Sequence, residues 1–150
     1  MTTRRILVLA KKSALRVHLE GQDVGRHARV EELLRAKDVT VARMRGAHKE
    51  HEATLHEVQE SISALGCEAK LVMAAALDEF RVVDPRGNDL VVTVGGDGTL
   101  LAASHGIAET PVLAINSAPG YSVGFFCGGR MGTVRSRARF RSRSSRACKS

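Results

Sequence analysis

The sequence predicts an α/β protein, a Rossmann-like three-layer domain in which a parallel sheet lies between two layers of helices. Three observations support this fold class. Short apolar runs are bounded by charges or turn residues, as in buried parallel strands. Amphipathic helical patterns separate some of these runs, and the order strand, helix, strand, strand, helix, strand is typical of parallel sheets. The 150 residues are also enough to bury a core.

The first half of the chain contains a strand, a helical region and a second strand. Residues 4–10, RRILVLA, form the first apolar run. Residues 27–65 follow a helical period, which predicts two helices with apolar stripes at Val30, Leu33 and Leu34, and at Met44, His51, Leu55, Val58, Ile62 and Leu65. Gly66 is predicted to end the second helix, and CEAKLVM, residues 67–73, is the second predicted strand.

The second half starts with a connection in which Pro85 and Gly87 mark a turn. Residues 90–94, LVVTV, are the clearest strand of the chain. Residues 99–108 predict a short helix, and a further strand is predicted over 111–116 after a helix-breaking proline.

The segment GGDGT, Gly95 to Thr99, lies between the third predicted strand and a helix. At that position unpaired N–H groups and the helix dipole favour an anion, and glycines let the backbone approach phosphate oxygens. Asp97 is unfavourable beside a phosphate unless it holds Mg²⁺ or accepts a proton from an attacking hydroxyl, and both uses indicate phosphoryl transfer. The alternative is a turn that only solves a geometric problem, with Asp as an N-cap.

Two stretches carry a family resemblance: DLVVTVGGDGTLLAAS, residues 89–104, and PVLAINSAPGYSVGFF, residues 111–126. They resemble the ATP-NAD kinase family, in particular a divergent branch that includes mitochondrial-type enzymes. The resemblance implies transfer of a phosphoryl group from ATP, or in some members from polyphosphate, to the ribose 2′-hydroxyl on the adenosine side of NAD, giving NADP. A divalent cation, expected to be Mg²⁺, would accompany the ATP.

The same resemblance implies roles for individual residues. Asp97 would be the catalytic proton acceptor or hydroxyl-orienting group, and Asn116 matches the family's asparagine on the next loop. The remaining NAD-binding residues would be those of the glycine loop: Gly95, Gly96, Gly98 and Thr99. Asn116 could instead only cap the strand end. The loop after it is longer than the compact family form and has Ala118 where this branch tends to have Asp, which leaves contacts by residues 117–123 open.

The charge of the chain is concentrated at its end. The net charge is +7, and residues 130–150 hold eight of the 23 basic residues and no acidic one, which leaves 15 basic against 16 acidic residues before them. We therefore predict an α/β nucleotide-binding domain over 1–127 and a basic, Arg/Ser-rich disordered tail over 128–150. Three cysteines without CxxC spacing indicate a reducing setting, expected to be the cytoplasm, and no segment predicts a membrane span.

The tail has two interpretations. Arginine at every second position from Arg135 to Arg143 could contact nucleic-acid phosphates, or the segment is translated out of frame. The resemblance implies a second, mainly β domain that completes the NAD site and much of a homo-oligomer contact, yet nothing after Phe126 offers alternating apolar strands. We therefore expect a truncated N-terminal domain with little activity alone, and a different reading frame from about codon 128 that encodes the β domain.

Other sites and functions are alternatives. His48, His51 and His56 share a helix with acidic residues, but a polar helix surface explains them at least as well as metal binding, and no metal site is assigned. Lys11, Lys12 and Ser13 could touch a phosphate or form a solvated loop. The alternative functions are a GGDG-loop lipid kinase-like or phosphofructokinase-like enzyme, and a non-enzymatic basic nucleic-acid-binding module.

Overall fold

A computed structural model describes residues 3–21 and 24–130. These residues form a sheet with helices on both faces. In chain order the elements are β1 (Arg5–Lys11), α1 (Ala14–Glu20), α2 (Val24–Arg35), α3 (Val39–Ala64), β2 (Glu68–Ala74), a 3₁₀ helix (Leu77–Val82), β3 (Leu90–Gly95), α4 (Asp97–Ser104), β4 (Val112–Asn116) and β5 (Gly129–Arg130).

The five strands form one sheet in the order β2-β1-β3-β4-β5, and every neighbouring pair is parallel. This confirms the predicted parallel sheet. Val8 of β1 lies opposite Leu71 of β2 on one side and Val92 of β3 on the other. Because the chain runs from β1 to one side and then returns to the other, the strand order reverses between β1 and β3. Ligands of open α/β sheets bind at the carboxyl ends of strands beside such a reversal.

Two hydrophobic cores cover the two faces of the sheet, because successive side chains of a strand point to opposite faces. On β1, Ile6, Val8 and Ala10 face the long helix α3, where they pack with Leu55, Val58 and Ile62. Leu7 and Leu9 face the opposite layer, where they pack with Phe80 of the 3₁₀ helix and with Ala102 and Ala103 of α4. The three predicted layers are therefore present.

Helix α3 shows why the predicted helical region divides where it does. The Asp38 carboxylate accepts the N–H groups of Thr40 and Val41 at 2.8 and 3.3 Å, so it caps the start of α3 and separates it from α2. The helix ends just before Gly66, whose φ of 68° is the left-handed conformation expected after a helix C-terminus. The predicted end of this helix is confirmed.

Two helices differ from the prediction. Helix α1 was not predicted, because seven residues are too few to show a period; its local signal is Ser13, whose hydroxyl accepts the Arg16 N–H at 3.2 Å. The helix predicted over 99–108 is observed as α4, Asp97–Ser104, so it begins two residues earlier and ends four residues earlier than predicted. It begins at Asp97 because the Gly96 carbonyl already accepts the Thr99 N–H at 3.0 Å, and it ends before a turn in which Gly106 donates to Ala103.

The described part of the chain ends at the short strand β5, which pairs with the end of β4. The predicted boundary between residues 127 and 128 stays a prediction, and residues 131–150 of the predicted basic tail lie outside the described residues. Among the helices that the structure describes, none is long and apolar enough to cross a membrane.

Candidate functional site

The carboxyl edge of the sheet brings together the residues that the sequence singled out. Gly95 ends β3 and lies opposite Asn116, the last residue of β4. The N–H of Ser117 donates to the Gly95 carbonyl at 2.9 Å, which joins the two loops directly. Asp97 begins α4 two residues after Gly95. The glycine loop, Asp97 and Asn116 therefore form one cluster beside the reversal of strand order.

The glycines of the loop have different surroundings. A Cβ on Gly95 would overlap the Thr99 side chain, with 2.8 Å between the two Cβ atoms, so Gly95 is required by packing. A Cβ on Gly96 would meet only the Ser122 hydroxyl, at 3.9 Å, so open space lies beside the first turn of α4. Thr99 is buried, and its hydroxyl has no hydrogen-bond partner among the described residues. Gly98, by contrast, is exposed.

The Asp97 carboxylate binds a turn formed by residues 124–127, referred to below as the 124–127 turn. Oδ2 accepts the Phe125 N–H at 2.8 Å, and Oδ1 accepts the Phe126 N–H at 2.9 Å. The Cys127 thiol lies 3.7 Å from Oδ1 and donates to it. Burial, followed by the negative charge of Asp97, raises the pKa of Cys127 to about 11. No feature of the sequence predicted these contacts.

Asn116 is buried and holds the loop that follows it. Its Oδ1 accepts the Ala118 N–H at 3.2 Å and the Ser122 hydroxyl at 2.9 Å, and its Nδ2 donates to the Ser122 carbonyl at 3.0 Å. Gly124 packs against the same side chain: its φ is 59°, and an added Cβ would lie 2.7 Å from the Asn116 Cβ. Asn116 thus caps the end of β4, and its contact with NAD stays a prediction.

A cavity of about 310 Å³ lies beside this cluster, between the end of β4 and β5. Its lining includes Asn116, Ser122, Gly124, Cys127 and Arg130. Next to it, Phe125 and Phe126 meet edge to face with 5.2 Å between their ring centres. They are 79% and 62% exposed, so the described residues leave the turn that holds Asp97 open to water.

The three histidines of α3 do not form a metal site. The described residues contain no group of three His, Cys, Asp or Glu side chains that could hold a metal ion. His51 is buried and its Nδ1 lies 2.7 Å from the Ser117 hydroxyl, whereas His48 Nδ1 lies 2.6 Å from the Ser13 hydroxyl. His56 is exposed and pairs with Glu60 at 3.3 Å.

The basic residues after β1 are engaged in local contacts. Lys12 pairs with Glu20 at 2.6 Å, and the same carboxylate binds Arg16. Ser13 caps α1. These contacts lie in the connection between β1 and α1, for which a solvated loop was the alternative, and a phosphate contact by Lys11, Lys12 or Ser13 stays a hypothesis.

Comparison with known proteins identifies a family to which this chain is similar. A family model described as the ATP-NAD kinase N-terminal domain matches residues 6–126. The protein "NAD kinase 2, mitochondrial" of Rattus norvegicus is 31% identical over 130 residues, which cover 82% of this chain and 29% of that protein. Its Homo sapiens counterpart is also 31% identical over 130 residues, covering 82% of this chain and 28% of the human protein.

A shorter stretch of this chain has a higher sequence identity to a plant protein. The "NADH kinase" of Arabidopsis thaliana is 63% identical over 35 residues, 23% of this chain and 11% of the plant protein. The chain spans less than a third of the length of the rat and human relatives that it matches.

Proposed function

Because this chain belongs to the ATP-NAD kinase family, we propose that the cluster around Asp97 is part of an NAD kinase site. ATP donates its terminal phosphoryl group, and the ribose 2′-hydroxyl on the adenosine side of NAD accepts it. The observation that carries this proposal is the position of Asp97: an acidic residue in the first turn of α4, within a glycine loop at the carboxyl end of β3.

Asp97 acts on the acceptor hydroxyl in this proposal. A carboxylate can accept about four hydrogen bonds, and three donors from the 124–127 turn bind Asp97. These bonds fix the orientation of the carboxylate and leave an acceptor position for a substrate hydroxyl. Asp97 would then orient this hydroxyl and accept its proton as the phosphoryl group arrives, which is general base catalysis.

The glycine loop serves the acceptor NAD. Gly96 offers open space beside the first turn of α4, where N–H groups without intrahelical partners favour negative charge. In this proposal NAD approaches along Gly96 and the exposed backbone of Gly98, while Gly95 and Thr99 pack the loop from beneath.

The described residues contain no group of three His, Cys, Asp or Glu side chains that could hold a metal ion. In this proposal a Mg²⁺ ion is bound by the ATP phosphates and by water. No step of this proposal depends on a protein-bound metal.

We also propose that the 150 residues alone transfer the phosphoryl group slowly. Phosphoryl transfer depends on donor and acceptor being held in line and away from water. The exposure of the Phe125 and Phe126 side chains supports this proposal, because it leaves the 124–127 turn open to water. A cytoplasmic location and a homo-oligomeric state stay predictions.

The experiment is a single-turnover assay with protein in excess over NAD, in the presence of ATP and Mg²⁺. Asp97→Asn should bind NAD within about threefold of the wild type, because the glycine loop persists and the amide keeps one acceptor oxygen for the 124–127 turn. It should form NADP at least about a hundredfold more slowly, because the proton acceptor is removed. Asp84→Asn is the matched control, since Asp84 is an exposed carboxylate that pairs with Arg86. NADP formation by Asp97→Asn at the control rate would contradict the catalytic role.

A further inference from the structure

Helix α3 holds the loop that follows β4, residues 117–122, here called the 117–122 loop. His51 Nδ1 lies 2.7 Å from the Ser117 hydroxyl, and the Thr54 hydroxyl donates to the Ser117 carbonyl at 3.1 Å. Ser117, His51 and Thr54 are 4%, 4% and 0% exposed. The first residue of the loop is therefore bound to α3 through both its side chain and its backbone, away from water.

Two further contacts continue along the same face of α3. The Glu50 carboxylate accepts the Gly120 N–H at 3.1 Å. One turn earlier, Gly46 lies beneath the Tyr121 ring, so closely that a Cβ on Gly46 would overlap the tyrosine hydroxyl. Positions 46, 50 and 54 repeat at four-residue steps, which places them on one side of the helix.

The loop connects this helix face to Asp97. Its far side is bonded to Asn116 through Ser122, and Gly124 packs on the same asparagine. The N–H groups of Phe125 and Phe126 then bind the Asp97 carboxylate. A displacement of the 117–122 loop would move the donors that orient Asp97.

Resting on the proposed function, we propose that His51 is a positioning residue of the phosphoryl-transfer site: through Ser117 it fixes the 117–122 loop, and thereby the 124–127 turn that orients Asp97. The hydrogen bond of His51 described above joins it to Ser117, and not to Asp97 or the glycine loop. It acts through another residue, and no metal or catalytic role is assigned to it.

Protonation of His51 should release the loop. The charged and titratable groups that face it are Glu52 and His48 on α3, Arg16 on α1 and Lys11 at the end of β1. Burial lowers the pKa of His51 below its usual 6.5, and its Nε2 has no partner among the described residues. A second ring proton would therefore place a positive charge in a buried site beside the cations Arg16 and Lys11, with Glu52 as the opposing negative charge. Because the unfolded chain binds this proton more readily, stability and loop order are complete above pH 6.5 and decrease as the pH falls through the folded pKa.

Tyr121 provides a direct probe, since the chain has a single tyrosine and no tryptophan. Acrylamide quenching of Tyr121 fluorescence reports how well the loop is held. His51→Leu should raise the quenching constant at pH 7.5 about twofold, because local release exposes a segment without unfolding the domain. Ser117→Ala should raise the quenching constant by a similar factor. The double variant should raise it little further, because both changes break the same hydrogen bond.

Two further variants separate positioning from a general structural effect. His51→Asn places an amide where Nδ1 lies, so it should keep quenching at the wild-type value and remove the rise in quenching that is expected of the wild type at low pH. His56→Leu, at the exposed histidine of the same helix, should leave quenching unchanged. Unchanged quenching in His51→Leu would overturn the proposal. A loss of helical circular dichroism in His51→Leu would overturn it too, because the whole domain would then unfold instead of the loop alone.

Calorimetric titration with NAD distinguishes this inference from the proposed function. His51→Leu should weaken NAD binding about tenfold, the loss expected when one positioning hydrogen bond is removed, and His51→Asn should restore it. A released loop with unchanged NAD affinity would overturn the role of His51 and leave the proposed function intact. A wild-type protein that binds no NAD would contradict the proposed function, and this inference with it.

Discussion

At the scale of single residues, Asp97 has a structural contact in addition to its proposed catalytic role. Its carboxylate joins the start of α4 to the 124–127 turn through two backbone N–H groups. Phe125 and Phe126 follow Asp97 by 28 and 29 residues along the chain, so one side chain holds together two distant segments. A substitution that leaves no oxygen on the side chain at position 97 therefore removes the contact with this turn as well as the chemistry of the site.

Cys127 provides a test of the Asp97 contact. Asp97→Asn should lower the pKa of Cys127 from about 11, because the nearby negative charge is removed, but should leave it above 9.0, because burial is the larger cause of the shift. The pH dependence of thiol alkylation measures this pKa in a chain whose other two cysteines are replaced by serine. An unchanged Cys127 pKa would show that the carboxylate does not face the thiol.

The contrast between Asp97 and its partners shows what the sequence could predict at this scale. The position of Asp97 at the end of β3 follows from local signals, namely a β-branched run, glycines and a helical pattern. Its partners in the 124–127 turn are backbone N–H groups, which nearly every residue has, so no residue type marks them. The buried bond of His51 to Ser117 spans 66 residues and was likewise not foreseen.

At the scale of elements, the glycine loop combines a packing requirement with an open surface. Gly95 is buried against Thr99, whereas Gly96 borders open space. The elements with strong periods, β1, α3 and β3, were predicted with their approximate bounds. The seven-residue α1 was missed, because its formation depends on the Ser13 cap rather than on an apolar period.

Gly95→Ala and Gly96→Ala form a matched pair. Gly95→Ala should lower the free energy of unfolding by about 2 kcal/mol, because the added methyl group overlaps Thr99. Gly96→Ala should lower it by less than about 1 kcal/mol but should weaken NAD binding about tenfold, because its methyl group lies where the nucleotide approaches. Urea denaturation and calorimetric titration measure the two quantities. Equal effects of both changes on NAD affinity would contradict the proposed direction of approach.

At the scale of the whole molecule, the described residues place every predicted site residue on one edge of the sheet. Strand order could not be read from the sequence, because parallel strands joined by crossovers give no local sign of which neighbours they pair with. Once β1 and β3 are adjacent, the reversal between them lies beside the glycine loop. The fold and the sequence motif thus independently indicate the same edge.

An NAD titration of the uniformly ¹⁵N-labelled chain, followed through backbone amide signals at low and high salt, tests whether NAD binds around Asp97. We predict that the largest shifts fall on Gly96, Gly98, Phe125 and Phe126, and that they persist at high salt. Shifts confined to residues 131–150 that vanish as salt rises would indicate nonspecific electrostatic binding. That result, or the absence of any shift at the glycine loop, would contradict an NAD site around Asp97.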